Sequence, residues 1–179
     1  MSKKEEILEI ALKHFASKGY ENTSLEDVAK ELNITKPALY YHFKNKQEIY
    51  NQIFIDSFKD LNFEHDLRDY IFKMGKFFIH NPNIAKLFSK ELACEMEHLT
   101  IDTIKVVSKT LKTLSEILKD KNVNPFFIQT LIVASFTTYI NTLAVRKKIT
   151  QVWDKDFITD FDVINEIYKT IELYISKHS

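Results

Sequence analysis

Glycine and proline are scarce here: 179 residues contain 2 Gly and 3 Pro. An all-β fold of this length needs many tight turns, and tight turns draw on those two residues. The scarcity excludes such a fold and favours long helices with few connections. Cysteine is nearly absent as well. The single Cys94 excludes an intrachain disulfide and any multi-cysteine metal site, and it fits a reducing, cytoplasmic compartment. Net charge is missing too, because 25 Lys and Arg balance 25 Asp and Glu. The placement of charge, not its total, must therefore decide whether nucleic acid is a partner. Only Arg68 and Arg146 among the basic residues are arginine, which reflects a lysine preference and not a function. There is no Gly-rich phosphate loop. The histidines (His14, His42, His65, His80, His98 and His178) show no metal-ligand spacing such as His-x-x-x-His. Glu91, Glu95, Glu97 and His98 crowd together, but Glu91 and Glu95 read as one turn apart on an ordinary exposed helix face. The expectation is a protein that is not an enzyme and uses no cofactor and no metal.

What is present is helical periodicity. Hydrophobic residues make up 45% of the chain, enough for a core. The opening MSKKEEILEIALKHF carries acids inside its apolar stretch and lacks a signal peptide's apolar core. Ile7, Leu8, Ala11, Leu12 and Phe15 form one apolar stripe of a first helix, from about Lys4 to Lys18. Gly19 is placed to end it in a left-handed C-cap. Thr23-Ser24 offers an N-cap, with Asp27 in the position of a capping box, for a second helix from about Leu25 to Leu32. Asn33 suits a left-handed turn. Thr35-Lys36-Pro37 opens a third helix running to about Phe43, since proline is tolerated in a first turn. A fourth helix, from about Gln47 to Leu61, presents Ile49, Ile53, Phe54 and Phe58 on one side. Further stripes follow. Leu67, Tyr70, Ile71, Met74, Phe77 and Phe78 form one; Ile84, Leu87, Phe88, Leu92 and Met96 form another. A long helix after Thr100 and two last helices, from about Phe126 to Lys148 and from about Asp160 to Lys177, complete an all-α chain of about nine helices. Residues Asn122 to Val145 carry no charge and are long enough to span a bilayer. Eight polar residues inside that run, from Asn124 to Thr142, point to a helix buried among protein helices.

The segment Ser24 to Phe43 is two short helices around a tight turn, the geometry of a helix-turn-helix. From Leu32 to Gln47 there is no acidic residue, while Lys36, Tyr40, Tyr41, His42, Lys44 and Lys46 crowd into eleven residues. Lysine, hydroxyl and aromatic groups are the chemistry of phosphates and base edges. On composition alone, a solvated basic helix with two core tyrosines accounts for the same residues.

The stretch Thr23 to Ile49, TSLEDVAKELNITKPALYYHFKNKQEI, resembles the DNA-binding signature of the TetR family of bacterial regulators. The run Leu39-Tyr40-Tyr41-His42-Phe43 with Lys46 is its most specific part, and Phe15-x-x-x-Gly19-Tyr20 also fits. Asn33 stands where glycine is frequent in the family, and Pro37 where a small residue is frequent. The resemblance covers about the first sixty residues. It implies that Thr23, Thr35, Lys36, Ala38, Tyr40, Tyr41, His42 and Lys46 face DNA. Tyr40, Tyr41, Thr35 and Lys46 would hold phosphates, and Lys36, Ala38 and His42 would lie nearer the base edges. Leu39 and Phe43 would be core. It divides the chain into a helix-turn-helix domain (1–50) and a helical ligand-binding and dimerisation domain (51–179), with the fourth helix connecting them.

In that second domain, Thr130, Thr137, Asn141 and Ala144 share a face of small residues, which permits close helix approach. With Ile164 and Ile171 of the last helix, they are the expected homodimer interface. Phe78, Phe88, Glu91, Cys94 and Tyr139 are the expected lining of an effector pocket. The implied function is a cytoplasmic, DNA-binding repressor, released from double-stranded operator DNA by a small hydrophobic or aromatic effector, and with no membrane partner. The alternatives are a constitutive regulator or activator without an effector, and a helical interaction module without DNA.

Overall fold

A computed structural model of the chain describes residues 2–64, 66–153 and 162–178. Among them are ten helices and no strand: α1 (Lys3–Lys18), α2 (Leu25–Glu31), α3 (Lys36–His42), α4 (Lys46–Phe58), α5 (Leu67–His80), α6 (Pro82–Ala93), α7 (Ile101–Ile117), α8 (Pro125–Asn141), α9 (Leu143–Trp153) and α10 (Val163–His178). The all-α expectation holds. The additional helix comes from a break at Thr142. The run expected as one helix to Lys148 is two, α8 and α9, bent by 59°. Threonine hydroxyls that bond back to the preceding turn compete with the helical ladder and bend it. Thr142 does so at the break, donating to the Thr138 carbonyl at 2.6 Å. Arg146 then supplies a donor to the end of α8. Its Nη2 lies 2.6 Å from the Tyr139 carbonyl, and its guanidinium sits 3.9 Å from the centre of that tyrosine's ring. No single helix among the described residues is long and apolar enough to cross a membrane.

The residues cluster into two compact units, 1–61 with 86–108 and 62–85 with 109–179. In the first, α1 packs on α2 and α4, and α2 on α3. Ser2 and Glu5 form a full capping box at the start of α1. Gly19 ends that helix at φ 84°, ψ 172°, a region essentially reserved for glycine. Ser24 caps α2 by accepting from the Glu26 amide. The expected second arm of that box is not made, because the Asp27 carboxylate lies 3.1 Å from Lys18 Nζ instead. Asn33 adopts φ 52°, as the turn requires. Thr35 caps α3, with Pro37 in its first turn. Ile49, Ile53, Phe54 and Phe58 of α4 are all buried. The α6 stripe ends earlier than expected: the helix stops at Ala93, Leu92 is exposed, and Met96 falls in the following turn.

In the second unit, α5 packs on both α8 and α10. Tyr70, Ile71, Met74 and Phe78 of α5, Ile132 and Phe136 of α8, and Ile171 and Ile175 of α10 are among its buried residues. The buried Tyr70 hydroxyl donates to Gln129 Oε1 at 2.5 Å and lies 3.1 Å from the Thr110 carbonyl, so the core's polar atom is satisfied. The expected start of the last helix at Asp160 and Phe161 lies outside the described residues.

Candidate nucleic-acid interface

Helix α3 is held by one side and offered by the other. Leu39 is fully buried, and Phe43 beside it is 1% exposed. They anchor a seven-residue helix too short to be stable alone. The opposite side presents Lys36, Ala38, Tyr40 and Tyr41, all exposed, with Tyr41 at 87%. His42 is half-buried, its ring edge-on to that of Tyr41 at 5.3 Å. Thr35 is exposed, and its hydroxyl oxygen caps the Ala38 amide. Two adjacent tyrosines left exposed beside a lysine form the kind of patch that marks a contact surface.

Three expected DNA-facing residues are engaged within the protein. Thr23 is 3% exposed, and its hydroxyl donates to the Gly19 carbonyl at 2.7 Å. Lys46 lies over the Tyr20 ring at 4.4 Å and donates to the Glu21 carbonyl at 3.2 Å. The α1–α2 loop is thus fastened to the start of α4. Lys36 is paired as well: its Nζ lies 2.6 Å from Glu26 Oε1, and the bond to that carboxylate raises its pKa above the ordinary lysine value. Tyr20, Glu21 and Glu26 were not among the expected residues. They act through two side chains and, for Glu21, a backbone carbonyl, which no pattern of periodicity or charge had joined to Lys46 and Lys36.

Comparison with known proteins now bears on this unit. The family model described as "Bacterial regulatory proteins, tetR family" matches residues 7–53, which span α1 to the middle of α4. These residues carry a TetR-family domain. Within it, the chain is 47% identical over 49 residues to the biofilm operon negative transcriptional regulator IcaR of Staphylococcus epidermidis. It is 49% identical over 49 residues to the IcaR of Staphylococcus aureus. Each match spans 27% of this chain and 26% of the relative, so the likeness to these proteins is confined to about a quarter of their length. Solved structures carry the fold further. A TetR-family regulator from Shewanella superposes with a TM-score of 0.67 at 18% identity, covering 99% of this chain and 98% of that one. PfmR from Thermus thermophilus gives 0.65 at 21% identity over 95% and 97%. An HlyIIR variant gives 0.66 at 21% identity over 94% and 96%.

The expected effector residues fall in both compact units: Phe88, Glu91 and Cys94 in the first, Phe78 and Tyr139 in the second. Phe78 and Phe88 are buried, Cys94 is exposed and Tyr139 is half-buried. Glu91 corrects the reading of an ordinary exposed face, for it is 1% exposed. A cavity of about 220 Å³ lies elsewhere, along α9, lined by Arg146, Ile149, Thr150 and Trp153. Among the expected interface residues, Thr130, Asn141 and Ala144 are exposed. Thr137 and Ile171 are buried in the second unit's own core, and Ile164 is half-buried. Its Cγ1 lies where a side chain on Gly75 would stand. No group of three or more His, Cys, Asp or Glu among the described residues is arranged to hold a metal ion.

Proposed function

We propose that this chain is a TetR-family regulator, a cytoplasmic, dimeric repressor that grips double-stranded DNA with α3. The observation that carries this reading is the exposed Tyr40–Tyr41 pair beside Lys36, on a segment free of acidic residues from Leu32 to Gln47. Tyr40, Tyr41, Thr35 and Lys46 hold phosphates, and Lys36, Ala38 and His42 reach base edges. Lys36 must leave Glu26 to do so, and Lys46 must leave the Glu21 carbonyl. Thr23 contributes by fixing the loop, since its hydroxyl already serves Gly19. The negative regulation named for the staphylococcal relatives supports repression over activation.

The second unit's surface supports dimerisation. Thr130, Ala134, Thr138 and Asn141 form an exposed stripe on α8, with Phe126 exposed at its start and Leu173 exposed on α10. Small residues flanked by bulky apolar ones suit close contact with a second copy. The effector is a small hydrophobic or aromatic molecule. The α9 cavity, with Ile149 and Trp153 as walls beside the Arg146 guanidinium, suits one that carries an acid group.

The test is binding of duplex fragments followed against salt. Log affinity should fall with log salt by about 0.9 for each phosphate neutralised. A salt-independent affinity would leave a helical interaction module as the better account.

A further inference from the structure

The turn after α6 contains a cluster that the DNA-facing surface does not use directly. Residues Glu95 and Met96 both adopt positive φ, 55° and 59°, an arrangement that costs energy for residues with a Cβ. The Met96 amide bonds to the Glu91 carbonyl at 2.8 Å, which closes the turn. The turn is then clamped from α4. Asn51 donates to the His98 carbonyl at 3.0 Å and accepts from the Thr100 amide at 2.7 Å. What the turn delivers is the His98 ring.

That ring is surrounded by acid. Its Nδ1 lies 2.8 Å from Oε1 of the buried Glu91 on α6, and its Nε2 lies 3.4 Å from Glu21 on the α1–α2 loop and 3.6 Å from Glu97 on its own turn. Glu91 Oε1 also accepts from the Tyr50 hydroxyl of α4 at 2.5 Å. Its Oε2 has no hydrogen-bond partner among the described residues. Burial first, and then the bond to Glu91, push the Tyr50 pKa well above the ordinary tyrosine value, so that hydroxyl stays a donor. The Tyr20 ring covers the imidazole at 4.3 Å, and Lys46 sits on Tyr20. Cys94, on the same turn, is the remaining titratable neighbour, acting on Tyr50. His14 pairs with Glu31 instead.

We propose that His98 is a proton-dependent positioning residue that latches the α1–α2 loop, with Thr23 and the Lys46 seat, to the turn after α6. This rests on the reading that the same unit binds DNA. Protonated His98 donates to Glu91 through Nδ1 and faces Glu21 and Glu97 with Nε2, so one positive charge holds three carboxylates. When the proton leaves, the neutral ring keeps its Nδ1–H on buried Glu91 beside Tyr50, and Nε2 loses the proton it turned toward Glu21 and Glu97. Glu21 and Glu97 then face an uncharged ring nitrogen, and the attraction that held the Glu21 loop to the turn is lost. Histidine is the side chain whose charge changes between pH 5 and 8. Protonation of the ring therefore fastens the loop, and loss of the proton loosens it.

Amide exchange in the unliganded full-length protein tests the latch without DNA. Protection factors at residues 19–24, corrected for intrinsic exchange, should fall about fivefold between roughly pH 5.5 and pH 8, while α8 amides stay level. H98Q should abolish that dependence. E21Q should abolish it too, and Glu21 is 79% exposed in its side chain, so this variant keeps its fold. A loop whose protection ignores pH in the wild type, or keeps its pH dependence in both variants, overturns the proposal. Affinity for an arbitrary duplex of roughly 24 base pairs, measured over the same range in an H42Q background, gives the second readout. H98Q should flatten it. A loop that follows pH in a protein that binds no duplex upholds the latch and refutes the DNA reading.

Discussion

Gly75 sits in the middle of α5, where glycine costs roughly 1 kcal/mol relative to alanine. G75A would recover that amount if nothing opposed it. A Cβ at this position would stand 2.7 Å from Phe136 Cζ, 2.9 Å from Phe136 Cε1 and 2.8 Å from Ile164 Cγ1. Phe136 is fully buried on α8, so its ring has no open side to move toward. Ile164 on α10 is half-buried and can yield more easily. Overpacking of this kind costs about 1–3 kcal/mol. Subtracting the gain in propensity leaves G75A destabilised by about 1 kcal/mol, and by at most about 2. For a chain of this length that corresponds to a fall in Tm of about 2–8 °C. The assay is thermal unfolding followed by circular dichroism, with G75A, F136L and the double variant compared. F136L opens the space that the new methyl needs, so the double variant should be more stable than the sum of the two single effects by about 1 kcal/mol. A G75A protein more stable than wild type would refute the claim that α5, α8 and α10 meet at this glycine.

Three other outcomes follow from the same contacts. G19A should cost about 1–3 kcal/mol through backbone strain alone, because the new methyl meets only the Lys90 ammonium at 3.9 Å; urea unfolding monitored by circular dichroism measures it. K46A should weaken all DNA sequences alike and reduce the salt slope by about one unit, read by fluorescence anisotropy. A134W and L173E place bulk and charge on exposed positions, so sedimentation should show monomer with unchanged helix content. If both sediment as dimers, the interface lies elsewhere.

The elements that position the candidate site were legible because their signals are local. Leu39 and Phe43 repeat at helical spacing, Asn33 and Gly19 sit where the backbone needs positive φ, and Thr35 precedes a proline that a helix start tolerates. The break at Thr142 was not legible. Residues 122–145 form one uncharged run, and hydroxyl back-bonding leaves no trace in periodicity. A helical wheel groups small residues, but it cannot tell a chain's own core from a partner's. Hence Thr137 and Ile171 read as interface and lie in the second unit's interior. Glu91 had a signal that was passed over. It continues the stripe Ile84, Leu87, Phe88 at helical spacing, which predicts burial for an acid that needs partners. Those partners, Tyr50 and His98, are 41 and 7 residues away, beyond anything a local pattern reveals.

The central claim is that the exposed side of α3 is a DNA surface, and Tyr41 tests it most directly. The ring is 87% exposed, so Y41A removes it with almost no cost to folding. Affinity should be measured for duplexes that the wild-type protein retains from a random-sequence pool, with melting temperature recorded alongside. The account predicts that Y41A weakens binding by about tenfold, the equivalent of roughly 1.4 kcal/mol, at unchanged melting temperature. Equal affinity of Y41A and wild type for every retained duplex would contradict it.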